Sequence, residues 1–256
     1  MARRAAAAGW GTLEMTIWGK LSGASVGLAV GGPLGALVGG IAGHFIIDLP
    51  FGRPADPQAR SLAFTIGVVA LSAKMAKADG VVTPLEVEAF HEVFEVPDDE
   101  MANVRRVFDL AKGSVAGFDA YARQLADIFA DAPEVKEELI DALFHIAKAD
   151  RAVHPRERAF LRDVAAIFGF SEHEFATIEA RHVAPGKGDP YLALGVTRQA
   201  SDAEVAKAWR RLVQETHPDR LIGQGLPAEA IRIATDKLAA INAAYETIRA
   251  ERMRLK

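Results

Sequence analysis

The sequence predicts an all-α protein in three parts: an N-terminal helix able to span a membrane, a helical bundle, and a C-terminal helical hairpin. Three observations carry this. A run of 27 residues from Leu21 to Ile47 contains no Asp, Glu, Lys or Arg. From about residue 60 to residue 182, apolar residues recur at three- and four-residue spacing with no alternating strand pattern. Beyond residue 189, two more apolar seams of that spacing flank a His-Pro-Asp turn.

Length and composition set the outer limits. The chain has 256 residues, 50% of them apolar and 25% charged, which suits one or two globular units and excludes wholesale disorder. The absence of cysteine excludes a disulfide scaffold, a thiolate metal site and a cysteine nucleophile. The net charge of −4 is unevenly spread, at +2 for residues 1–47, −8 for 48–188 and +2 for 189–256. No segment is basic enough to indicate nucleic acid as a partner.

As a helix, residues 21–47 would be about 40 Å long, enough to cross a hydrocarbon core of ~30 Å. Eight glycines lie inside the run, six of them on a strict four-residue repeat: Gly23, Gly27, Gly31, Gly35, Gly39 and Gly43. In water each helix-interior glycine costs ~1 kcal/mol relative to alanine, so a soluble helix is disfavoured. In lipid an unbonded peptide group costs several kcal/mol, so the helix is enforced. The repeat then forms a flat face for close helix packing, and a homodimer through that face is expected. A flexible glycine-rich tail and a cleaved signal peptide are the competing readings, and 27 residues is long for the latter. Residues 1–20 are expected to form a tail, and Met15-Thr-Ile-Trp-Gly-Lys20 within it would make a natural start. Basic residues on the two sides of the span do not fix its orientation.

Residues 48–59 hold Pro50, Pro54 and Pro57 and read as a linker. In the bundle, residues 60–182, one apolar stripe runs through Val68, Leu71, Met75 and Ala78. A second comprises Leu139, Leu143, Ile146 and Ala147, and a third Phe160, Val164, Ile167 and Phe168. The bundle repeats internally at an offset of 71 residues, Ala76-Lys-Ala-Asp-Gly-Val-Val-Thr-Pro-Leu-Glu86 aligning with Ala147-Lys-Ala-Asp-Arg-Ala-Val-His-Pro-Arg-Glu157. This doubled Asp-Gly-x-Val pattern with its downstream Glu resembles the TerB-like family, a helical domain linked to tellurite resistance.

Two readings of the repeated acids stay open. Asp79, Glu86, Asp150 and Glu157 could hold a hard divalent cation through carboxylate oxygens, a role the resemblance implies. They could equally be structural, since Thr83-Pro84-Leu85-Glu86 is a capping box and Gly80 suits a helix C-terminus. Arg151 replaces that glycine in the second copy and His154 replaces the threonine; the arginine adds positive charge where a cation would sit. His91-Glu-Val-Phe-Glu95 has Glu in place of the second histidine of a zinc-hydrolase helix, so no metalloprotease is supported. No cofactor other than such a cation is expected, and no enzyme motif occurs.

Residues 183–188 read as a second linker. Asp189-Pro-Tyr-Leu-Ala-Leu-Gly195 then makes a short helical turn, and Ser201-Asp-Ala-Glu204 is a capping box opening a helix to about Thr216. Val205, Trp209, Leu212 and Val213 share one face of that helix; Lys207, Arg210, Arg211 and Gln214 share the other. His217-Pro218-Asp219 follows, then a loop through Gly223 and Gly225. A last helix opens at Pro227, with Ile231, Ala234, Leu238, Ile241, Tyr245 and Ile248 in one seam.

Residues 189–256 resemble the J-domain family, on Asp-Pro-Tyr-x-x-Leu-Gly-Val, Ala-Trp-Arg-Arg-Leu, His-Pro-Asp and Ile-Asn-Ala-Ala-Tyr-Glu in order. The whole arrangement from Met15 onward resembles the DjlA-like membrane-anchored co-chaperones of DnaJ type. The resemblance implies a DnaK-type chaperone as partner. Lys207, Arg210 and Arg211 would steer and hold the complex, Asp219 would pair with a chaperone arginine, and His217 and Pro218 would fix the turn. It also implies a single-pass anchor in the bacterial inner membrane with residues 52–256 in the cytoplasm, where the partner and its ATP are. The chain itself would catalyse nothing. An ion-responsive stress sensor, with the acidic bundle as input and the J-domain as output, is the alternative.

Overall fold

The computed structural model of the chain describes residue 34 and residues 57–79, 101–113, 117–148, 153–183 and 188–254. Among the described residues there are ten helices and no strand. They are α1 Pro57–Asp79, α2 Met101–Gly113, α3 Phe118–Ile128, α4 Pro133–Ala147, α5 Pro155–Ile167, α6 Glu172–Arg181, α7 Pro190–Ala193, α8 Asp202–Glu215, α9 Pro218–Gly223 and α10 Ala228–Arg254. The six packing glycines, Glu86, Asp150 and the Asp79 side chain lie outside the described residues.

Local chemistry explains where these helices start. α1, α4, α5, α7 and α9 open on proline, which needs no amide partner in the first turn and already holds the helical φ. α6 and α8 open on capping boxes. Glu174 accepts from the Ser171 backbone N–H at 2.7 Å, and Glu204 does the same for Ser201, also at 2.7 Å.

α1 is the axis of the bundle. Its stretch Ala59–Lys77 is long and apolar enough to cross a membrane, yet 89% of the 18-residue window that qualifies it is buried within the protein. A helix apolar on all sides belongs in the middle, and α2, α3, α4 and α5 pack around it. Its stripe residues Val68, Leu71 and Met75 are buried, as are Leu139, Leu143, Ile146 and Ala147 of α4 and Phe160, Val164 and Phe168 at α5. Leu34, the one described residue of the N-terminal run, is helical and buried in the same core. Its backbone N–H donates to Gln124 Oε1 at 2.9 Å.

The C-terminal hairpin has a core of its own. Tyr191, Leu194, Val205, Leu212, Ile241, Ala244 and Ile248 form it, with Trp209, Val213 and Tyr245 packed alongside. The expected seam of α10 is therefore split. Ile241, Tyr245 and Ile248 face α8 and α7, whereas Ile231 and Ala234 join the core of the bundle. Helical spacing shows that a face is buried but not against what, so the sequence assigned the whole seam to one partner. Two smaller differences concern the stretch 218–228: α9 occupies most of the expected loop, and α10 begins at Ala228 rather than Pro227.

Gly225, just past α9, marks where the two units meet. Its φ is +79°, and a Cβ there would lie 2.7 Å from both Cα and O of Pro57 at the start of α1. Gly225→Ala combines left-handed strain with a backbone clash, so it is expected to destabilise the chain by about 2 kcal/mol or more. Gly223→Ala, with nothing within 4 Å, should stay within ~0.5 kcal/mol. Thermal unfolding of the two variants checks this; equal midpoints would contradict the contact.

Candidate partner-docking site

α8 is fixed by its cap at one end and by aromatic packing along its length. The Trp209 ring stacks on Tyr245 of α10 with centroids 4.5 Å apart and planes 9° apart, and its Nε1–H donates to Asn242 Oδ1 at 2.8 Å. Arg252 locks the open end of the hairpin. It donates to Asp202 Oδ1 and to the Ala200 carbonyl, both at 2.7 Å, and lies over the Tyr191 ring. With Val205 and Leu212 turned inward, Lys207, Arg210, Arg211 and Gln214 are left exposed on the outer face. Three cations within two turns make a local positive surface with no described ion pair.

The His-Pro-Asp turn is built by α9. Pro218 starts this helix, and His217 is its N-cap, with Nδ1 accepting from the Asp219 backbone N–H at 3.2 Å. The His217 carbonyl accepts from Arg220 N–H at 3.0 Å. His217 is half exposed and the Asp219 side chain is 88% exposed, so the carboxylate points to solvent; among the described residues the basic atom recorded beside it is His217 Nδ1, at 3.8 Å. Leu221, fully buried, anchors α9 from below. The sequence-selected cations are thus exposed on α8, and the turn that directly follows that helix exposes the Asp219 carboxylate. Such a surface can take an acidic patch beside a cationic pocket.

The other candidate ligands fare differently. Glu157 is buried, and its Oε2 accepts from the His154 backbone N–H at 2.8 Å, the capping role. His154 therefore still marks the cap where the first copy has threonine. Among the described residues no group of three or more His, Asp or Glu side chains is arranged to hold a metal ion.

Sequence reasoning missed a buried ionic cluster between the two units. Lys237 of α10 is 5% exposed in its side chain, and its Nζ lies 2.5 Å from Glu137, 2.8 Å from Glu138 and 2.9 Å from Asp141, all on α4. Arg181 of α6 bridges the units too, donating to Glu137 at 2.6 Å and to the Ala193 carbonyl of α7 at 3.0 Å. His182 Nε2 is 2.6 Å from Asp141 Oδ1. Burial pushes the Glu138 carboxyl up to about 7, Lys237 opposing and Asp141 and Glu137 adding to the rise. For Asp141 burial also pushes upward, but Lys237 and His182 overcome it and hold the carboxyl below its usual value. Lys237 is held above the ordinary lysine value, because the three carboxylates outweigh its desolvation. A signal existed: Lys237 sits three residues after Ala234, at a core position of an apolar seam.

Comparison with known proteins connects these units. The family model described as the DnaJ domain matches residues 189–256, and that described as tellurite resistance protein TerB matches residues 65–180. The model described as the co-chaperone DjlA transmembrane domain matches residues 15–56. The co-chaperone protein DjlA of Shewanella oneidensis is 32% identical over 263 aligned residues, covering 93% of this chain and 99% of the relative. The chain belongs to the DjlA co-chaperone family. The DjlA protein of Coxiella burnetii is 28% identical over 68% of this chain and 72% of its own, and that of Photobacterium profundum 27% over 77% and 81%. No solved structure matches the chain.

Within the DjlA frame, the all-helical reading, the TerB-like bundle and the J-domain stand, and the N-terminal segment is a membrane anchor. Leu34 lies in the middle of that segment. Spanning a bilayer and seating in the bundle core are alternative environments for this residue.

Proposed function

We propose that the chain is a membrane-anchored co-chaperone that docks a DnaK-type chaperone on the outer face of α8 and the His217-Pro218-Asp219 turn, and stimulates its ATP hydrolysis. One observation carries this reading: Lys207, Arg210 and Arg211 are exposed on α8, and the turn directly after it exposes the Asp219 carboxylate. Lys207, Arg210 and Arg211 speed encounter with an acidic surface and hold it, an attraction weakened by salt. Asp219 then engages a partner arginine. Because the chain binds one conformation of the partner better than another, it shifts the partner's equilibrium and hydrolyses nothing itself. The inner membrane is the proposed location, with the bundle and hairpin on the cytoplasmic side, and packing through the Gly23–Gly43 repeat would pair two copies.

The test is single-turnover ATP hydrolysis by a DnaK-type chaperone with the full chain in nanodiscs. Stimulation is expected to disappear in His217→Gln while the helical content stays unchanged, and to decline as salt rises. Stimulation retained in the variant would remove the turn from the mechanism and overturn the proposal.

A further inference from the structure

We propose that Glu134, a residue of the bundle and not of the J-domain, is a positioning residue for the His217-Pro218-Asp219 turn. The inference rests on the co-chaperone reading above for its consequence, and on geometry for its substance. α9 has six residues, too few to hold a helix unaided in water. What holds it comes mostly from outside the hairpin.

Leu221 and, beyond the turn, Leu226 belong to the apolar core shared with the bundle, not to the hairpin core of Tyr191, Leu212 and Ile241. Arg220 and Gln224 converge on one carboxylate. Arg220, directly after Asp219, donates to Glu134 Oε1 at 2.7 Å, and Gln224 Nε2 donates to the same oxygen. Behind them Gly225 closes on Pro57.

Glu134 is well made for this work. It follows Pro133 in the first turn of α4, where free backbone N–H groups and the helix dipole favour a negative charge. Its side chain is only 15% exposed. Burial alone would raise its carboxyl, but its own backbone N–H, Arg220 and Gln224 together hold it below the usual range. The group is therefore a fixed anion clamping α9 at two points. Loosening the clamp leaves His217 and Asp219 present but no longer held in their docking orientation, so part of the binding energy goes into ordering them.

The experiment uses the full chain in nanodiscs and three variants, Glu134→Ala, Glu134→Gln and His217→Gln, with two readouts. Amide hydrogen exchange, needing no partner, is expected to quicken at least tenfold at Leu221 and Gln224 in Glu134→Ala while the exchange of α8 stays unchanged. In single-turnover hydrolysis, Glu134→Ala is expected to raise the half-maximal concentration about five- to tenfold and leave the maximal rate unaltered. Glu134→Gln, which can still accept both hydrogen bonds, should fall between wild type and alanine. Unchanged exchange, or an unchanged half-maximal concentration beside a responsive wild type, would overturn the proposal. A wild type that fails to stimulate would instead overturn the co-chaperone reading, and the exchange data alone would then judge the clamp.

Discussion

Replacing Lys237 with methionine is expected to cost about 3–5 kcal/mol of stability. The reason is what remains, not what is lost. Glu137, Glu138 and Asp141 stand within 2.9 Å of the ammonium. Without it, three carboxylates face each other away from water with only Arg181 and His182 to balance them. Met fills nearly the same space as the lysine stem, so packing loss does not confuse the result. Denaturation of the full chain followed by circular dichroism measures it. Adding Glu138→Gln should recover part of the loss, since removing a second charge relieves the first. A Lys237→Met protein as stable as wild type would show that the cluster opens to water.

The same cluster sets a pH dependence. Glu138 is faced by Glu137 and Asp141 on its own helix and by Lys237 from α10; Arg181 at the end of α6 pairs with Glu137, and His182, just past it, with Asp141. Its carboxyl is pushed up to about 7 from an ordinary value of 4.5, so the folded chain binds that proton more tightly than the unfolded one. The resulting stability is complete below pH 4.5 and fades as pH rises through 7. Asp141 and Glu137 are shifted the other way, so their contribution fades in acid, below the usual carboxylate range. The unfolding midpoint should therefore fall between about pH 5 and pH 8 by the equivalent of ~3 kcal/mol. Glu138→Gln, which imitates the protonated form, should flatten that slope. A wild-type midpoint that rises over this interval, or a variant with the same slope, contradicts the assignment.

Most of the architecture could be read from residues whose signals are local. The Ser201–Glu204 cap and the stripes through Val68 and Leu139 act over one or two turns, and the helices they mark lie where those signals put them; Pro57 and Pro218, read as linker and turn, instead open α1 and α9. The outer surface of α8 was legible for the same reason, since a cation opposite an apolar face can only point outward. The contacts between units were not legible. Glu134 and Arg220 are 86 positions apart, and Lys237 and Glu138 are 99 apart. Each of these residues is unremarkable in its own helix, and only packing reveals that an acid on α4 answers a base on α10. Ile231 and Ala234 were misassigned on that account. The first copy of the 71-residue repeat lies largely outside the described residues, so only its second copy, where Glu157 serves a cap, speaks to its role.

The contact between Gly225 and Pro57 has a mechanical consequence. Pro57 immediately follows the residues that match the co-chaperone DjlA transmembrane domain, and Gly225 comes six residues after Asp219. Backbone meets backbone here, so a displacement of the chain at Pro57 passes to the stretch that carries the turn without a pliable side chain to absorb it.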